Sequence, residues 1–192
     1  EPFWGGTYFP RDAKYGRPGF RDVLRQIHGA FVNEPEAVRK NQTNMVDALR
    51  KLADNNPGGD IEEKQIENIG QTLLREVDPR HGGIGGAPKF PQVPILDLLW
   101  RNHKRTGSEL MRTAVILSAR QMSEGGIYDH LGGGYSRYST DERWLVPHFE
   151  KMLYDNAQLL ELISELWQDT QEPVFKQRAE ETVAWLLRDM VT

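Results

Sequence analysis

The sequence predicts a mainly α-helical chain of antiparallel αα-hairpins, on three observations. Apolar residues recur at helical spacing along most of the chain, short Gly- and Pro-rich breaks separate the periodic stretches, and no strands alternate with them in a βαβ rhythm. Its 192 residues suffice for one medium domain, or for one and part of another. With 38% hydrophobic and 27% charged residues the composition is globular, and no apolar run approaches the ~18 residues of a bilayer span. A net charge of −4 without a basic block excludes the clustered cations of a nucleic-acid binder. Cysteine is absent, so thiol chemistry, Cys-ligated zinc and disulfides have no place in this chain.

Taken in order, Phe3 to Phe9 is aromatic, carries Gly5-Gly6 and is bounded by Pro2 and Pro10, which predicts a short bulged strand. After the Gly16-Arg17-Pro18-Gly19 turn, Phe20, Val23, Leu24, Ile27 and Phe31 predict a helix of about three turns whose stripe needs a cover. A second helix runs from Glu34-Pro35, with Pro35 in its first turn, to about Asp54. The breaker cluster Asn55 to Asp60 places a domain boundary, because charge also changes there. Residues 1–55 carry a net +2 and residues 56–192 a net −6. Five helices are expected beyond it: from Ile61 to about Val77, Gln92 to Lys104, Ser108 to Ser123 with Leu110, Ala114, Leu117 and Met122 inward, Pro147 to Gln168, and Pro173 onward with Phe175, Ala179, Val183, Leu186 and Leu187 inward. The short loops between them predict antiparallel neighbours.

A loop of about 20 residues, Gly125 to Val146, interrupts this pattern, and loops of that length in compact domains are usually functional. On a helix starting at Pro147, His148, Lys151 and Asp155 stand at i, i+3 and i+7, on one face with Leu159 and Ile163. An apolar stripe that turns polar at its N-terminal end describes a buried face opening into a pocket. The catalytic candidates are therefore Asp129, His130, His148, Glu150 and Asp155, and the substrate-binding candidates Tyr128, Arg137, Trp144, Lys151 and Tyr154. Each has a structural alternative. Asp129 could form an Asx turn, Arg137 could brace the loop by an ion pair rather than bind a carboxylate or sugar hydroxyls, and Asp155 could pair with Lys151. Trp144 and Tyr128 could stack on sugar rings or simply fill the core. His28, His81 and His103 read as surface or capping residues.

Several sharper motifs fail. In Gly82 to Lys89, Pro88 precedes the lysine and Phe90 stands where a phosphate loop needs Ser or Thr. A dinucleotide fingerprint, His-Glu-x-x-His, an EF-hand loop and a Gly-x-Ser-x-Gly elbow are all missing from the sequence, so no cofactor or metal is expected.

Four ordered runs carry a family resemblance: Pro2 to Pro10, Gly82 to Pro91, Gly125 to His130 with Gly134 to Ser139, and Val146 to Ala157. In these the sequence resembles the thioredoxin-domain-containing proteins related to the spermatogenesis-associated protein. The resemblance implies a thioredoxin-like domain followed by an α/α toroid of the six-hairpin-glycosidase kind. Residues 1–55 would then hold the last strand and closing helix of the first domain plus a connecting helix. Residues 60–192 would be the N-terminal part of the toroid, about five of twelve helices. The family's cysteine motif would lie upstream of Glu1, and Ser136 stands where the pattern often has His. The opening at Glu1-Pro2-Phe3 and the stop at Met190-Val191-Thr192 inside a helical pattern likewise predict an internal piece of a longer, cytoplasmic protein. The rest of that chain is its expected partner. A sugar-processing role follows by fold analogy, with a small-molecule sugar as ligand. Epimerisation would need a base and an acid, for which His148 and His130 or Asp129 are candidates; hydrolysis would need two carboxylates from Asp129, Asp141, Glu150 and Asp155.

Overall fold

A computed structural model describes residues 1–54 and 58–191. Asn55, Asn56 and Pro57 of the breaker cluster lie outside the described residues. The chain divides into two compact units, Glu1–Asp60 and Ile61–Thr192.

In the first unit, residues 1–19 contain no strand, contrary to the expectation for Phe3 to Phe9. A strand exists only through a ladder partner, and the sole pairing here is the two-residue turn in which Lys14 and Arg17 exchange backbone hydrogen bonds at 3.0 Å. Tyr15 and Gly16 both have positive φ, as a type I′ turn requires. Aromatic contacts hold the extended segment to helix α1 (Phe20–Asn33). Phe3 meets Phe31 with ring centroids 5.8 Å apart, and Phe9 meets Phe20 at 5.6 Å. Helix α2 (Pro35–Ala53) packs on α1 and starts with Pro35 in its first turn.

The second unit is helical: α3 (Glu63–Leu74), α4 (Val93–Thr106), α5 (Glu109–Glu124), α6 (Leu153–Thr170) and α7 (Pro173–Trp185), the last running into a π-helical turn, Leu186–Met190. Local chemistry sets the ends. Glu62 and Gln65 form a capping box on α3, the Ser108 hydroxyl accepts from the Met111 N–H to start α5, and Gly107 at φ 72° closes α4. Helices α4 and α5 pack as one hairpin and α6 and α7 as a second. The two hairpins pack with α4 against α6 and α5 against α7. Hairpins stacked in two such layers are the repeating unit of an α/α toroid.

The core between them is Leu96, Leu99, Trp100, Met111, Val115, Met122, Leu159, Ile163, Leu166 and Phe175, each worth about 1.5–3 kcal/mol of burial for an aliphatic side chain. Two inward faces differ from expectation. On α5 the packed stripe is Met111, Val115, Ala119 and Met122, while Leu110 is exposed; on α7 it is Phe175, Thr182 and Trp185, while Val183 and Leu187 face out. Met122 and Phe175 are buried and Ala114 and Ala179 pack against the core as expected, so the observed faces overlap the expected ones and are rotated from them. His103 is buried against Trp100, not a surface residue, and its Nδ1 meets the Ser108 carbonyl at 3.1 Å.

The long loop is longer than expected and α6 starts later. Two short antiparallel strands, β1 (Tyr138–Ser139) and β2 (Pro147–His148), pair Tyr138 with His148 and Ser139 with Pro147. Helix α6 therefore starts at Leu153 rather than Pro147, and His148 and Lys151 are not on it. The i, i+3, i+7 argument for a shared helical face fails for that reason: Pro147, a good first-turn residue, here sits in a strand.

Candidate functional site

The segment between α5 and α6 is organised in two groups, one inward and one outward. The inward group is built on a tight turn of Asp129 to Gly134. The Asp129 carboxylate accepts the N–H groups of Leu131 at 3.0 Å and Gly132 at 2.8 Å, and the Lys151 ammonium at 2.7 Å. The Lys151 bond and those backbone donors hold its acidity at about 2, against the usual 3.8. Lys151 also donates to the Gly133 carbonyl at 2.6 Å and lies over the Trp185 ring. Beside this turn, His130 Nε2 meets the Gly125 carbonyl at 2.9 Å and Nδ1 meets Arg178 Nη2 at 3.1 Å. Arginine only donates, so Nδ1 accepts and Nε2 carries the proton. Tyr128 is buried, donates to Glu181 at 2.7 Å and lies under Arg178; burial and that carboxylate push its phenol up.

Trp144 is also interior, with no exposed face for a sugar. Its Nε1 donates to the His81 carbonyl at 2.8 Å, and the buried Lys89 ammonium sits 5.2 Å from its ring. Lys89 in turn bonds Asp78 at 2.8 Å and the Glu142 carbonyl at 3.0 Å. Burial works to raise Asp78, but the bonds from Lys89, His81 and Arg80 bring it down to about 2. Asp141 is tied down too: its carboxylate accepts N–H groups from Arg143, Leu145 and Val146, which outweigh burial and lower it. Asp129, His130, Tyr128, Trp144, Lys151 and Asp141 thus brace the loop, and their lone pairs and faces are spent on it.

The outward group sits on the β1–β2 pair. The Tyr138 and His148 rings stack with centroids 4.6 Å apart, and Phe90 stacks on the other face of Tyr138 at 4.7 Å. All three are part-exposed. Next to them Arg137 Nη1 donates to Glu150 Oε2 at 3.1 Å, and the Arg137 N–H donates to the Glu150 carbonyl at 2.6 Å. Tyr154 is exposed at the start of α6. Asp155, in the first turn of α6, is half-buried; burial raises its carboxyl and the nearby Arg137 only partly offsets that. Among the described residues it has no hydrogen-bond partner. Of the four candidate carboxylates, Asp155 alone combines a raised pKa with oxygens uncommitted among the described residues.

Lys89, Asp78, Asn156, Phe90 and Tyr138 were outside the candidate set. Lys89 and Asp78 are 11 residues apart and Asn156 reaches Tyr135 across 21, distances at which no local spacing rule operates. Asn156 is fully buried, and its side chain accepts from the Tyr135 N–H at 2.7 Å and donates to the Tyr135 carbonyl at 2.9 Å. Phe90 had a readable signal, an aromatic beside Pro91 in a Gly-rich turn. No group of three or more His, Cys, Asp or Glu capable of holding a metal occurs among the described residues.

Comparison with known proteins agrees with the resemblance in the four runs. Residues 1–50 match the family Thioredox_DsbH, described as a protein of unknown function, DUF255. Spermatogenesis-associated protein 20 of Homo sapiens is 34% identical over 199 residues, covering 99% of this chain and 25% of that protein. Over nearly its whole length the chain is similar to spermatogenesis-associated protein 20. Uncharacterized protein B0495.5 of Caenorhabditis elegans is 36% identical over 170 residues, 85% of this chain and 23% of that protein, and the Mus musculus spermatogenesis-associated protein 20 is 34% identical over 203 residues. The chain thus spans about a quarter of the length of these relatives. Among the described residues no helix is long and apolar enough to cross a membrane.

Proposed function

We propose that the helical unit of this chain processes a carbohydrate at the Phe90–Tyr138–His148 ledge, with His148 and Asp155 as its acid–base pair. One observation carries the reading: the part-exposed ring stack follows directly on Arg137 in the chain, and Arg137 also acts on Asp155, the one candidate carboxyl that is both raised and uncommitted among the described residues. Stacked aromatic faces suit the apolar face of a pyranose, and a carboxyl pushed upward by burial gives up its proton less readily than an exposed one, as an acid–base group requires. Epimerisation would use His148 and Asp155 on a carbon beside a carbonyl; hydrolysis would use Asp155 with Glu150. Asp129 and His130 leave the catalytic set, and Tyr128, Trp144 and Lys151 leave the binding set, because each is engaged in bracing the loop. In this reading residues 1–55 complete a thioredoxin-like domain, residues 60–192 open an α/α toroid, and the protein works in the cytoplasm with the remainder of its own chain as partner.

A thermal-shift screen of sugars on the protein at its natural length tests this, since a ligand of the native state raises the melting temperature. A sugar that stabilises the parent protein should fail to stabilise His148→Ala and Asp155→Asn variants that melt normally by themselves. A shift that survives both substitutions would remove the site.

The match of residues 1–50 to a thioredoxin-named family favours a second reading, a redox or folding-assistance protein whose helical unit is a binding scaffold. The chain has no cysteine, so the thiols would come from elsewhere in the parent protein. Thiol–disulfide exchange by that protein, unaffected by the two substitutions, would support it over the first.

A further inference from the structure

Two groups of the ledge converge on one carboxylate oxygen. Glu150 Oε2 is 3.1 Å from Arg137 Nη1 and 4.0 Å from His148 Nδ1. The longer distance is beyond hydrogen bonding, and His148 Nδ1 is buried without a partner among the described residues. A buried ring nitrogen that faces a carboxylate from just too far away is a half-built anion contact. The carboxylate itself is held loosely. Glu150 lies in the irregular stretch between β2 and α6, its side chain is 53% exposed, and the single bond to Arg137 is its one hydrogen bond. Its backbone is fixed independently, because the Glu150 carbonyl accepts from the Arg137 N–H at 2.6 Å. The side chain can therefore swing away while the strand pair and the ring stack stay in place.

Resting on the carbohydrate reading above in its epimerisation form, in which Glu150 has no catalytic part, we infer that Glu150 stands where a ligand carboxylate belongs, and that the ledge takes sugar acids in preference to neutral sugars. A sugar acid lying at the His148 end of the ring stack, since both faces of Tyr138 are already covered, would present its carboxylate to the Arg137 fork, which is built for bidentate carboxylate contact, and a second oxygen to His148 Nδ1. Glu150 would move into solvent, where an exposed carboxylate is stable unpaired. A neutral sugar offers nothing to replace the Arg137–Glu150 pair and leaves His148 Nδ1 as it is.

The test is calorimetric titration of the natural-length protein with matched pairs: glucuronate against glucose, and galacturonate against galactose. The acids should bind about tenfold or more tighter than their neutral parents, the effect of one charge-assisted bidentate contact. Glu150→Gln should tighten the acids by about two- to fivefold, the value of an exposed ion pair that no longer competes, and leave the neutral sugars unchanged. Arg137→Lys, which keeps the charge and loses the fork, should erase most of the preference. Equal binding of acids and neutral parents would overturn the inference and leave the carbohydrate reading standing. Weaker acid binding in Glu150→Gln would also overturn it, by showing that Glu150 positions Arg137 rather than competing for it. Binding of none of the four would remove both.

Discussion

Replacing Lys89 by Met gives the sharpest test of how the loop is held. Lys89 is fully buried, bonds Asp78 at 2.8 Å and the Glu142 carbonyl at 3.0 Å, and faces the Trp144 ring. The drop of Asp78 from 3.8 to about 2 corresponds to about 2 kcal/mol, shared by Lys89 with two backbone donors, so roughly 1 kcal/mol falls to the lysine. Leaving the Glu142 carbonyl unbonded costs about 1 kcal/mol, and the lost cation–ring contact about 0.5–1 kcal/mol. The expected destabilisation is about 2–3 kcal/mol, below the ~3–5 kcal/mol of a fully buried broken pair because Asp78 keeps some solvent contact. Because Asp78 is held below its unfolded value, its contribution is complete above about pH 5 and is lost as pH falls through 3.8 towards 2. The penalty of Lys89→Met should shrink over the same window. The assay is hydrogen exchange of the Lys89 and Ser139 amides, which bond each other's carbonyls at 2.8 and 2.9 Å, read at several pH values with the melting curve. A loss under about 0.5 kcal/mol, or one that does not change between pH 7 and pH 3, would refute the reasoning.

Three further substitutions probe neighbouring parts of the same frame. Gly83 has φ 72° and an added Cβ would stand 2.3 Å from Trp144 Cζ2, so Gly83→Ala should cost at least about 2 kcal/mol, and an unchanged melt would show that the indole can shift. Asn156→Ala strands the buried Tyr135 N–H and C=O; about 2–4 kcal/mol is expected, with near-ultraviolet circular dichroism reporting loosened tyrosine packing and Asn156→Asp failing to restore it. Asp129 contributes stability above about pH 5 that disappears as pH falls to about 2, roughly 1 kcal/mol once its 38% exposure is allowed for, so Asp129→Asn should flatten the acid limb of the melting-temperature profile.

How much of this was readable without coordinates depended on the range of the interaction. Helices α2, α4, α5 and α7 were legible because their signals are local: Pro35, Pro94 and Pro173 in first turns, Ser108 as a cap, Gly107 as a stop, and apolar periodicity between. Phe3 to Phe9 was not, since β-propensity describes a residue's fit to a sheet and cannot supply the neighbouring strand. Pro147 misled for a related reason. It is as acceptable at the edge of a two-residue strand as in a helix's first turn, and what decided between them was Tyr138, nine residues earlier and directly opposite the residue that follows it.

The same difference in range explains which candidate residues stayed available for chemistry. Motif reading selects loop residues by type, and a polar residue in a Gly-rich loop is chosen equally often to hold the loop's shape. The distinction lies in how many of its lone pairs or protons are already engaged. Asp129 accepts three bonds, Asp141 accepts from three backbone donors and a serine hydroxyl, and Lys151 donates two; for any of them to meet a ligand, the turn it supports would have to open. Among the described residues Asp155 and the Nδ1 of His148 have no such commitments, and the Glu150 side chain has one that lies in solvent. Reaction at the first set costs loop structure, whereas reaction at the second costs at most one exposed ion pair, worth about 1 kcal/mol or less. A ligand of ordinary affinity can meet that second cost, which favours the proposed site on the β1–β2 ledge over one in the glycine turn beside it.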